Sequence, residues 1–117
     1  MLSRVSKNYY RREITMSDYD RYKEMIQKWG SEWGYRLTWR SDDVDYDPPR
    51  PEASIGRFRA LDDDDDAGIY GGTEGEIVLS VVGGPEHNNE RVALHWIEDG
   101  MDEAAGEVSS LDNFEEV

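Results

Sequence analysis

The chain has 117 residues, the size of a single domain, and carries 27 acidic against 13 basic side chains for a formal charge of −14. It has no cysteine, which excludes disulfides, thiol catalysis and thiolate metal sites. No apolar run approaches the roughly 18 residues of a membrane span, and the chain opens with no apolar signal core. It therefore reads as a virion or cytoplasmic protein, neither secreted nor membrane-bound.

Residues 1–16 form a basic, aromatic stretch in which Arg4, Lys7, Arg11 and Arg12 surround Tyr9 and Tyr10. It reads as an extended arm or a first strand. Ser17 suits a helix N-cap, and Asp18 and Asp20 suit the first turn, where the helix dipole favours acids. Tyr22, Ile26, Trp29 and Trp33 then recur at helical spacing, and Gly30 and Gly34 mark where the helix frays or stops. Tyr35, Leu37 and Trp39 alternate with Arg36, Thr38 and Arg40, which predicts a half-buried strand with a basic outer face. Residues 41–52, with three prolines and four aspartates, read as a stiff exposed loop.

Residues 53–61 predict a strand in which Ile55 and Phe58 fall out of phase, so Gly56 is expected at a bulge. Asp62 to Asp66 and the glycine-rich residues after them make a second loop. Residues 76–82 and 90–98 are the clearest strands, joined by a long hairpin loop that contains His87. From Asp99 the chain is an acidic tail, with a short helix expected near residues 101–108. The expected fold is α+β. One N-terminal amphipathic helix packs on a small antiparallel sheet of 3–5 strands, with the body at 17–98, a basic arm before it and an acidic tail at 99–117. The segments between strands are too short for right-handed βαβ crossovers.

The two kinds of charge are segregated. Residues 1–60 hold 12 bases and 10 acids (+2), while residues 61–117 hold 1 base and 17 acids (−16). Ten of the bases are Arg and three are Lys. Carboxylates hold water well, whereas the long apolar stem of Lys is salted out. This composition resembles that of proteins from extreme halophiles and their viruses.

Chemistry-bearing motifs are sparse. Counting a calcium loop from Asp63 puts Asp65, Gly68 and Glu74 at the right places, but Ala67 and Gly71 fail positions five and nine, so no metal site is expected. His87 and His95 come with no nucleophile elbow, and there is no phosphate-binding glycine loop or zinc-protease motif. With 27 acids, chance carboxylate pairs are guaranteed and uninformative. No enzyme activity, cofactor or small-molecule substrate is expected. The tryptophans read mainly as core, and one found exposed would be an interface anchor.

The expected function is a non-enzymatic assembly or structural protein: a virion component of a halophilic virus, of capsid-decoration or head–tail connector type. Its partners would be copies of itself or other subunits, met through the arm residues Arg4, Lys7, Tyr9, Tyr10, Arg11 and Arg12. The acidic surface of Asp62, Asp63, Asp64, Asp65, Asp66, Glu98, Asp99, Asp102 and Glu103 is the complementary feature. Nucleic acid is an unfavoured partner because phosphate contacts weaken steeply with salt. The alternative is an acidic DNA mimic that inhibits a host defence or repair enzyme.

Overall fold

The computed structural model describes residues 16–40, 49–104 and 106–117. Among them one helix, α1 (Met16–Trp33), lies on an antiparallel sheet of six strands. The strands are β1 (Thr38–Trp39), β2 (Glu52–Ala60), β3 (Glu74–Val82), β4 (Arg91–Glu98), β5 (Gly106–Val108) and β6 (Phe114–Glu116). The spatial order is β1-β2-β3-β4-β5, and β6 also pairs with β2. β1 takes the first half of β2's free edge and β6 the second. The α+β class holds, with six strands where at most five were expected.

The helix begins one residue before the expected cap and passes through Gly30. There the Leu37 side chain packs so closely that an added Cβ would sit 3.0 Å from it. It ends at Gly34, whose φ of +77° is the left-handed conformation that closes helices. Only two residues of the expected strand at 35–40 pair with β2; Tyr35 and Leu37 pack on the core as irregular chain. Arg50 and Pro51, expected in an exposed loop, are buried. Gly56 does sit at a bulge: the β2–β3 register slips between Ser54 and Gly56, and its φ is +121°.

The tail also departs from expectation. In place of a helix near 101–108, the chain adds β5 to one side of the sheet and then returns to add β6 to the other. Phe114 of β6 meets Trp96 of β4 with ring centroids 5.2 Å apart. Three strand spacings separate those positions, about 14 Å in a flat sheet. The sheet is therefore strongly curled, and its concave face holds the core.

That face carries Ala53, Ile55, Phe58 and Ala60 of β2, Ile77, Leu79 and Val81 of β3, Trp96 of β4 and Val108 of β5. Tyr22 and Ile26 of α1 close it from above. Gly75 makes room for the Trp96 ring, since a Cβ there would meet the Ile97 carbonyl oxygen at 2.5 Å and the indole at 2.9 Å. The convex face has a centre of small buried side chains, Ser54, Val78, Ser80 and Ala93.

Candidate functional site

The strand at 35–40 was expected to show a basic outer face; on the convex face of the sheet Arg40 and the arginines of β2 and β4 are consumed by neighbouring acids. Arg57 forks onto Asp99 (2.8 and 2.6 Å), and Arg59 bridges Glu74 of β3 (2.7 Å) and Glu115 of β6 (3.1 Å). Arg40 lies between Glu52 (3.7 Å) and Glu76 (3.3 Å), and Arg91 forks onto Glu107. These pairs run across strands, where opposite charges face each other at close range. The hydrogen bonds from the guanidinium groups hold Glu74, Asp99 and Glu107 below the usual carboxylate range. A face so occupied has little positive charge left for a phosphate backbone.

The acidic residues gather at one end of the sheet. β2 finishes there, β3 begins there, and β4 finishes there, so the loops at 61–73 and 99–104 share that end. Gly106 packs against the Ala67 backbone, and the Leu61 N–H donates to the Asn113 carbonyl at 2.8 Å, which ties both loops to the tail. Asp99 is drawn away by Arg57. Asp62 to Asp66, Glu98, Asp102, Glu103 and Asp112 make no ion pair among the described residues.

Two of these acids have work inside the loop. Asp63 Oδ1 accepts the Gly71 N–H at 2.6 Å, and Asp64 Oδ1 accepts the Ala67 N–H at 3.2 Å. Glu74, the last ligand of a notional calcium loop, turns to Arg59 instead. Among the described residues no three His, Asp or Glu side chains converge as a metal site would require.

Sequence reasoning missed a buried polar cluster under the first turns of α1. Arg21 forks onto Glu90 (3.1 and 2.9 Å) and also reaches Asp18 (3.0 Å). Arg50, 1% exposed, donates to the Val81 carbonyl at 2.8 Å. Arg21 and Arg50 each stand 5.0 Å from the centroid of the Tyr22 ring, which lies between two cations. Burial, with the Glu90 carboxylate nearby, pushes the Tyr22 phenol up to about 12. The one available signal was Arg50 itself, set between Pro49 and Pro51, which hold it extended. The cluster fastens α1 to β3 and to the start of β4.

A second pairing came from the hairpin register. Ser80 Oγ lies 3.3 Å from Nδ1 of His95, and Glu107 stands opposite His95 on β5. The Glu107 carboxylate is held by Arg91, and Ser80 is buried among Val78 and Ala93. The trio has the residue types of a hydrolytic site.

The remaining candidate lies at the far end of α1. Trp33 is 64% exposed and stacks on Trp29 (centroids 5.6 Å, 24° between planes), which stacks on Tyr35 (6.0 Å, 17°). Tyr35 meets Phe58, which roots the stack in the core. Beside it Met25, Lys28, Trp29, Glu32 and Val92 line a shallow groove of about 370 Å³. Trp39 is 37% exposed and has the Lys23 ammonium 4.8 Å from its ring centroid. The expected arm residues Arg4 to Arg12 lie outside the described residues. Comparisons with protein-family models, with curated proteins and with solved structures found no match.

Proposed function

We propose that the chain is a non-catalytic assembly protein, a small stiff body that joins copies of itself or other subunits of a larger particle. A virion component of a halophilic virus, such as a capsid decoration or head–tail connector subunit, is the role that suits its composition best. The observation that carries the reading is Trp33, a large apolar ring presented to water at the end of a helix. Tryptophan is among the residues that most often dominate protein interfaces. Stacking on Trp29 and Tyr35 holds the ring in place, so little side-chain entropy remains to be lost on docking. The other features agree: the sheet arginines Arg40, Arg57, Arg59 and Arg91 are paired with acids, and the unpaired charge among the described residues is mostly carboxylate, which keeps unassembled subunits apart.

The test is the mass in solution, by light scattering in molar salt. Wild type is expected as a discrete oligomer, and Trp33→Ala as a folded monomer. If both have the monomer mass the assembly reading fails; if both have the oligomer mass, Trp33 is not the anchor. Deleting residues 1–12 measures the share of the arm in the same assay.

One feature favours the alternative of a DNA mimic: nine carboxylates share one end of the sheet with no ion pair among the described residues. A mimic would displace duplex DNA from a restriction or repair enzyme. Absence of competition at a large molar excess over duplex would remove that reading.

A further inference from the structure

We infer that the aromatic patch at the end of α1 receives the carboxylate-rich end of a second copy of this chain. This deepens the assembly reading and rests on it.

The argument is charge complementarity built around a fixed apolar anchor. Nine basic residues lie among the described ones, and seven are engaged. Arg21, Arg40, Arg57, Arg59 and Arg91 form ion pairs, Arg50 is buried against Val81 and Tyr22, and Lys23 lies over Tyr19 and Trp39. The two left without an ion pair or ring contact among the described residues are Lys28, on the patch, and Arg36, the next residue in the chain after Tyr35. Lys28 lines the groove beside Trp29. Arg36 follows Tyr35, the base of the ring stack, and is exposed between two residues that pack on the core. One acid, Glu32, shares the groove with Lys28, so the positive surplus of the region comes from Arg36, one residue beyond Tyr35.

The chain supplies the matching surface at the shared loop end of its own sheet. Residues 61–74 and 98–113 contain no base at all. Asp62, Asp65, Asp66, Asp102 and Glu103 are all exposed there, with Leu61, Tyr70 and Met101 as exposed apolar neighbours. Leu61, Tyr70 and Met101 give the indole something apolar to meet, while the carboxylates face Lys28 and Arg36.

The −14 total would seem to forbid contact between copies. At ~0.15 M salt, however, exposed charges farther apart than about 8 Å are largely screened, so the local surfaces decide. In molar salt the ionic part weakens and the apolar part persists, which keeps the contact available in brine.

Charge reversal tests the pairing. One variant carries Lys28→Glu and Arg36→Glu, reversing the patch. The other carries Asp65→Lys and Asp66→Lys, reversing the loop end and leaving Asp63 and Asp64 to hold the turn. All four side chains are exposed and make no contact that folding needs, and circular dichroism verifies the fold of each variant. Light scattering at ~0.15 M salt is expected to show each variant alone at the monomer mass and an equimolar mixture back at the wild-type mass, because each reversed surface then finds its complement.

If wild type is monomeric at every concentration in both low and molar salt, the inference and the assembly reading fall together. If wild type assembles and both variants assemble equally well, the inference alone falls, leaving assembly to the arm. Variants that stay monomeric after mixing also overturn it, since the two surfaces then do not meet each other.

Discussion

Glu90 shows how much one carboxylate can control here. Its side chain is 7% exposed and its two oxygens hold both arms of the Arg21 fork, so its removal leaves the half-buried guanidinium with only Asp18 of its two carboxylates. Breaking a fully buried pair costs about 3–5 kcal/mol, and Arg21 keeps part of its hydration, so Glu90→Ala is expected to cost about 2 kcal/mol in denaturant unfolding. Tyr22 makes a separate prediction at high pH. Its folded pKa is raised above the ordinary phenol value, so its contribution is complete below about 10 and is lost as pH rises through about 12. In an ultraviolet titration the Tyr22 phenol is expected to ionise late, together with unfolding; absence of any late, unfolding-linked ionisation would refute its burial. At this scale the sequence was a poor guide. Asp18 looks like a helix-dipole acid and turns out also to hold Arg21, because spacing reports a neighbour on the same helix and nothing of Glu90, 69 residues away.

Among the elements, α1, β2, β3 and β4 are legible because each has a long apolar period: 3.6 residues in the helix, 2 in the strands. The Gly56 bulge is legible for the same reason, since a slip of phase between Ile55 and Phe58 needs an extra residue. β5 and β6 are not. Three residues cannot display a period, and Phe114–Glu116 is held by its partner on β2 and by the ring of Trp96, both far away in sequence. Gly75 belongs to this scale too. Gly75→Ala drives a methyl into the Ile97 carbonyl and the Trp96 ring, and overpacking of that kind is expected to cost about 1–3 kcal/mol in urea unfolding. The arginine–carboxylate ladder gives an acid-side prediction. Hydrogen bonds from Arg57 lower the folded pKa of Asp99, so its contribution is present above the unfolded value near 3.9 and fades as pH falls through the lower folded value. Asp99→Asn is therefore expected to melt at lower temperature than wild type at neutral pH, with the gap closing in strong acid. A gap that is constant with pH would mean the pair contributes nothing through its charge.

For the molecule as a whole the balance of long- and short-range charge decides. The ladder pairs act at contact distance, whereas the −14 surplus acts across the entire body when the Debye length reaches about 30 Å at 0.01 M salt. Desalting is thus expected to lower the melting temperature, and adding salt to molar strength to raise it; equal melting in both would remove brine as the reason for the composition. The acidic end was partly legible, since the carboxylates are plain in the sequence, but their gathering at one end depends on the directions of β2, β3 and β4. The patch was less so: Trp29 and Trp33, three and seven residues after Ile26, share the apolar face of one helix in sequence, yet Trp33 is left 64% exposed. That difference has a practical use. Trp96 is sealed in the core while Trp33 stands in solvent, so the native emission contains a blue component from Trp96 and a redder one led by Trp33, with the less exposed Trp39 beside it. A collisional quencher such as acrylamide would silence the red indole first, and a partner seated on it would shield it again. The chain thereby carries an intrinsic optical reporter of its own docking, separate from the one that reports its unfolding.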